Sequence, residues 1–223
     1  MHASGFGTLF NQFSQEMTSS AYSTGVSIAV PATTENRYDM AAVLVGTINW
    51  VDVANGGTPA PFAANNVNNL TSAPDIAIQI ALNSTHFNLV GFDNSAAPLV
   101  FLDYTIGASG SSWWPPQNVA PPTGKTYSYS PTICTQTDIP NNNFTRHIAV
   151  VAGGKLWYAA SGTWWPTVFS SWEQASTVDM ASSPDCVVTS DGTVHIVALT
   201  AAGTIADVHG KTGSFTTTDL GGY

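Results

Sequence analysis

Ser183–Gly222 reads SPDCVVTSDGTVHIVALTAAGTIADVHGKTGSFTTTDLGG. Three turns, at Asp191-Gly192, Ala202-Gly203 and Lys211-Thr212-Gly213, divide it into the runs CVVTS, TVHIVAL, TIADVHG and SFTTTDL. Val, Ile, Thr and Phe dominate the runs and suit a pleated, half-buried surface. Each break carries a glycine able to take φ > 0 at little cost. The stretch therefore predicts a four-stranded antiparallel meander.

The same unit recurs upstream. A turn residue followed by a short apolar strand appears at Gly7 (TLFNQF), Gly46 (TINWVDV), Pro98 (LVFLDYT), Gly154 (KLWYAAS) and Gly203 (TIADVHG). Four of these are preceded by a matching run: DMAAVLV (39–45), NLVGF (88–92), HIAVVA (147–152) and HIVALTA (195–201). Before those come VSIAV (26–30), PDIAIQIAL (74–82), PTICTQT (131–137) and PDCVVTS (184–190), the last three each led by a serine close to a proline. Repeats of about 40–55 residues that each form a four-stranded meander are the signature of propeller blades. The predicted fold is an all-β propeller of four-stranded antiparallel blades, with a β-sandwich of similar strand count as the alternative.

Four complete blades are expected at about 25–69, 73–122, 129–177 and 182–222, and a partial one over residues 1–20. In the partial blade Leu9, Phe10, Phe13 and Met17 fall at helical spacing, but the repeat places Thr8–Phe13 on a third strand. The fourth strand of the first complete blade, within TPAPFAANNVNN (58–69), holds two prolines and fits only an edge. A half-blade exposes unpaired strand edges, so a homo-oligomer is expected.

Composition narrows the partners. The 223 residues are 43% hydrophobic but only 9% charged, with five Lys/Arg against fourteen Asp/Glu and a formal net charge of −9. Without clustered cations a nucleic-acid or anionic-membrane surface is disfavoured. No apolar run approaches the roughly 20 residues needed for a membrane helix. Neutral polar partners, including sugars and protein surfaces, remain open. The first residues, MHASGFGTLFNQFSQEM, do not read as a secretory signal. The expected place of action is outside the cell or on a virion or cell surface, with the cytoplasm as the alternative.

Tryptophan is the recurring large residue. Trp113-Trp114-Pro115 and Trp164-Trp165-Pro166 occupy the same blade position, each at the start of an outer strand. Trp157 lies beside Tyr158 on a third strand, and Trp172 ends a fourth. Adjacent strand residues point to opposite faces, so one ring of each pair packs inward and the other faces out. An outward indole beside polar groups suits the apolar face of a sugar ring; the other reading is that these rings fill gaps between blades. The pattern S-P-x-apolar, D-G-T-V-H-apolar, G-x-apolar and W-W resembles blades of the tectonin-type lectins and of the bacterial fucose-binding propeller family, best over Ser130–Gly222. That resemblance implies a non-enzymatic sugar-binding propeller with aromatic-lined pockets between neighbouring blades. The ligand-contacting candidates are Trp113, Trp114, Trp157, Tyr158, Trp164, Trp165 and Trp172.

Other features are read as structural. Asp39, Asn88, His147 and His195 each open a second strand, where a hydrogen bond to the neighbouring blade is expected rather than a shared metal. Asp207 and His209 share a face as a solvated pair. Cys134 and Cys186, on the first strands of successive blades, are read as two small buried hydrophobes, with a disulfide between them as the alternative. Thr189–Thr193 (TSDGT) departs from the sialidase Asp-box spacing, and no metalloprotease or phosphate-cradling motif occurs. No catalytic residue, metal or cofactor is assigned. A structural or adhesive subunit of a surface assembly is the second reading of function, and a glycoside hydrolase the third.

Overall fold

The computed structural model describes residues 27–29, 37–44, 47–54, 60–63, 70–80, 84–93, 99–107, 109–138, 143–162 and 168–222, through residue 63 by backbone alone. The predicted half-blade at 1–20, Trp164 and Trp165 lie outside the described residues. The described chain is all-β, and none of it is a helix long and apolar enough to cross a membrane.

Among the described residues, seventeen strands form four antiparallel sheets. Blade 1 is β1 (Ser27–Ala29), β2 (Arg37–Leu44), β3 (Thr47–Ala54) and β4 (Ala60–Ala63). Blade 2 is β5 (Asp75–Ile80), β6 (Ser84–Phe92), β7 (Leu99–Gly107), β8 (Gly110–Trp113) and β9 (Gln117–Val119). Blade 3 is β10 (Thr132–Asp138), β11 (Asn143–Ala152), β12 (Lys155–Ser161) and β13 (Glu173–Asp179). Blade 4 is β14 (Asp185–Val188), β15 (Val194–Leu199), β16 (Thr204–Lys211) and β17 (Ser214–Gly222). Strand order follows chain order in every sheet, as a meander requires.

Local chemistry explains the interruptions. β8 pairs the far half of β7 and β9 the near half, so the outer strand of blade 2 is broken between them. Pro115 and Pro116 sit in that gap, where neither can donate a ladder hydrogen bond. The Trp-Trp-Pro stretch therefore interrupts an outer strand instead of starting one. Trp172 likewise lies just before β13, not at its end. In blade 4 the turn after β14 is tied by Asp191, whose carboxylate accepts from Thr193 N (3.1 Å) and Thr193 Oγ1 (2.8 Å), with Gly192 at φ 81°. A hydrogen bond from Thr189 Oγ1, with those from Thr193, holds the Asp191 carboxyl far below its usual range.

The blades stack face to face. The first strands β1, β5, β10 and β14 adjoin in succession, which places them innermost. Between blades 2 and 3, Val90, Phe92, Leu99 and Phe101 meet Ile133, Ile148 and Val150. Between blades 3 and 4, Val151, Leu156 and Tyr158 meet Val194, Ile196 and Val208. Most of these side chains are sealed from solvent, and each contributes about 1.5–3 kcal/mol by burial. Across this last interface Cys134 and Cys186 form a disulfide, with Cα atoms 5.7 Å apart. The expectation of two free buried thiols is corrected by the closeness of β10 and β14 near the axis, which brings the pair within bonding range.

The repeated serines have a structural use. Ser72 Oγ accepts from Phe92 N at 2.8 Å, and Ser182 Oγ accepts from Leu199 N at 2.9 Å. Both tie the approach to a blade to the end of its second strand, so the serine matching Ser72 is Ser182 rather than Ser183.

Candidate functional site

The interface between blades 2 and 3 changes character along its length. Its apolar part ends where β6 places His86 and Asn88, and β7 places Asp103 and Thr105, on the face toward blade 3. Opposite them β11 presents Arg146, fully buried. Arg146 Nη2 donates to Asp103 Oδ2 at 3.0 Å, and Nε donates to Asn88 Oδ1 at 2.6 Å. Its guanidinium also lies 5.7 Å from the centre of the Phe101 ring. Burial lowers the Arg146 pKa and the Asp103 carboxylate offsets part of that shift. A buried charge needs such pairing to be tolerated.

The network runs outward to a tryptophan. His86 Nδ1 lies 3.1 Å from both Asp103 oxygens and 3.0 Å from Thr105 Oγ1, while Ser84 Oγ meets His86 Nε2 at 3.1 Å. Trp114 Nε1 donates to Thr105 Oγ1 at 2.8 Å, which fixes a half-buried indole at the outer edge of this network. Asn88 Nδ2 and Gln79 Oε1 are buried there without hydrogen-bond partners. This end of the interface thus combines an aromatic platform, a held cation, a carboxylate and two amide atoms, Asn88 Nδ2 and Gln79 Oε1, left without a partner.

The sequence candidates separate into distinct places. Trp113 and Trp114 part to opposite faces, as alternation requires, and Trp113 packs on Tyr104 at 4.9 Å in the other core layer of blade 2. Trp157 and Trp172 come together with Tyr127 and Phe169 at the apolar part of the blade 2–3 interface. Their indoles donate to Ala152 O (3.0 Å) and Ala120 O (2.6 Å). Tyr158 lies on the far side of blade 3, 1% exposed, with its hydroxyl 2.6 Å from His147 Nδ1.

The repeated polar positions also resolve. Asn88 and His147 lie well inside β6 and β11, because those strands begin earlier than the apolar runs suggest. Asn88 makes the expected bond to the neighbouring blade through Arg146. His147 and His195 bond within their own blades, to Tyr158 and Asp207. Arg146 is the residue that sequence reasoning missed; one of two arginines in the chain, it sits next to the repeat position of His147.

A concavity of about 500 Å³ opens at the starts of β5, β10 and β14, lined in part by Pro74, Asp75, Pro131, Thr132, Pro184 and Asp185. Asp75 is engaged there, accepting from Thr132 Oγ1 (2.7 Å) and Ile133 N (2.8 Å) across the blade boundary.

No protein-family profile matches the chain, and no curated protein sequence matches it. Solved structures do. A lectin of Aleuria aurantia in complex with Fucα1-6GlcNAc matches at 7% identity and TM-score 0.61, covering 89% of this chain and 64% of the lectin. The fucose-specific lectin of Aleuria aurantia, in another form, matches at 9% identity and TM-score 0.61, over 89% of this chain and 62% of the lectin. A Trypanosoma rangeli sialidase matches at 12% identity and TM-score 0.47, over 87% of this chain and 37% of the enzyme, too distant to bear on activity. The chain spans less than two thirds of the lectins' length. The structural neighbours are fucose-binding β-propeller lectins, and the fold is a β-propeller.

Proposed function

We propose that the protein is a non-enzymatic carbohydrate-binding propeller, with the polar end of the blade 2–3 interface, beside Trp114, as a sugar site. The observation that carries this reading is Trp114, whose half-buried ring is locked in place by its bond to Thr105 and backed by the His86–Asp103–Arg146 network. A planar apolar surface next to fixed donors and acceptors matches a sugar's apolar face and hydroxyls. The lectin neighbours bind fucosides, which makes a fucoside the first ligand to try. The disulfide supports action in an oxidising, extracellular setting.

Titration of the intact protein with α-methyl-L-fucoside, followed by a glycan array, tests the reading. Saturable binding weakened by W114A supports it. Silence on the array from folded protein rejects it.

One observation favours a self-assembling surface subunit as the second reading. The face of blade 4 equivalent to those that blades 2 and 3 bury exposes Val187 (58%), Val197 (40%) and Leu199 (44%). Stacking a second copy there continues the blade-on-blade packing. A concentration-independent monomer by light scattering removes that reading.

A further inference from the structure

We propose that His195, Asp207 and His209 form a divalent transition-metal site on the outward face of blade 4, with zinc as the reference ion. The register builds it. His195 on β15 pairs directly with His209 on β16, and Asp207 lies two residues before His209, on the same face. His195 Nδ1 stands 3.1 Å from Asp207 Oδ2, and His209 Nδ1 stands 3.2 Å from that same oxygen. The imidazoles are stacked with centroids 5.3 Å apart and planes 22° apart. One ligating atom of each residue can be chosen so that all lie within 4.8 Å of one another.

These spacings suit coordination. With bonds near 2.0–2.1 Å to nitrogen and oxygen, donor atoms around a tetrahedral zinc ion stand roughly 3.3 Å apart. Two of the three edges already have about that length. Two imidazoles and a carboxylate are a donor set that zinc and its first-row neighbours favour. His209 Nδ1 is buried and makes no hydrogen bond despite its approach to Asp207. In the tautomer protonated at Nε2, its lone pair is free for an ion. The three side chains remain 18–33% exposed, so an ion can enter and keep water on its outer positions.

The chain already places a cation at the equivalent point of another blade. In blade 2 the directly opposed pair is Asn88 and Asp103, and the guanidinium of Arg146 from blade 3 bonds both. The matching pair in blade 4 is His195 and His209, two imidazoles on one sheet. A metal ion bound by imidazoles takes that role with ligands drawn from one sheet, clamping β15 to β16 on a face the earlier blades bury.

Zinc titrated calorimetrically into the untagged, chelator-stripped full chain tests the site. One ion per chain is expected, with affinity reduced at least about tenfold in H195A, H209A and the isosteric D207N, and abolished in the double histidine variant. Zinc should raise the melting temperature of the wild type by several degrees and leave the double variant unmoved. Stoichiometric binding that survives both H195A/H209A and D207N assigns the ion elsewhere and overturns the proposal. So does a wild-type affinity weaker than about millimolar. D207N keeps the test decisive if a histidine variant fails to fold.

Discussion

Arg146 Nη2 stands 3.0 Å from Asp103 Oδ2 across the boundary between blades 2 and 3, and both side chains are buried. This pair lies at the polar end of an interface whose remainder is apolar. Its Coulombic gain is offset by desolvation of both ions, so removing one partner costs more than the pair contributes. Arg146→Ala is expected to destabilise the fold by about 3–5 kcal/mol, because the buried Asp103 then loses its guanidinium counter-charge and keeps only the His86 and Thr105 contacts. The double variant R146M/D103L should recover much of that loss. Urea unfolding of the two variants decides; equal losses in single and double variants would show that packing, not charge, dominates the site.

The disulfide makes a second, separable contribution. Cys134 and Cys186 are 52 residues apart in sequence, and closing a loop of that length removes unfolded-state entropy worth about 4 kcal/mol. C134S/C186S, or reduction of the wild type, should lower the unfolding free energy by that order. A midpoint indifferent to reductant would count against the bridge.

Trp114 gives the prediction most closely tied to function. Stacking on one aromatic face contributes about 1–1.5 kcal/mol, so W114A should weaken fucoside binding roughly five- to tenfold. W114F should keep most of the stacking while releasing Thr105 Oγ1, and lose less. Ligand-detected NMR reads both effects. A W114A protein that binds as well as wild type moves the site away from this end of the blade 2–3 interface.

The meander was legible because its determinants are local. Asp191-Gly192, Ala202-Gly203 and Thr212-Gly213 supply turns where the structure places glycines at φ near 81–82°, and Val/Ile/Thr runs supply the strands between. The break at Pro115-Pro116 follows from local chemistry too, yet the repeat alignment hid it behind the preceding tryptophans. What was not legible depends on how blades meet. Nothing near Arg146 in sequence announces Asn88 and Asp103, which lie 58 and 43 residues away on another sheet. The approach of Cys134 to Cys186, and of His195 to Asp207 and His209, likewise depends on spacing between strands. Periodicity gives the face a residue occupies, not the distance to its partner.

His147 links stability to pH. Burial pushes its pKa down from an ordinary value near 6.5 to about 4, and its Nε2 is buried without a hydrogen-bond partner while Nδ1 meets Tyr158. Below about pH 6.5 the unfolded chain takes up a proton at this residue that the folded chain refuses. Stability from the neutral ring is thus complete above pH 6.5 and declines as pH falls toward 4. A difference of roughly 2.5 pH units corresponds to about 3 kcal/mol lost across that window. Other groups add their own slopes, so the measurement is a difference: unfolding free energies of wild type and H147Q at pH 7 and at pH 4.5. The variant, which carries no titrating group there, should lose markedly less stability over the same range. Parallel losses in the two proteins would show that His147 is protonated in the folded state as readily as in the unfolded one.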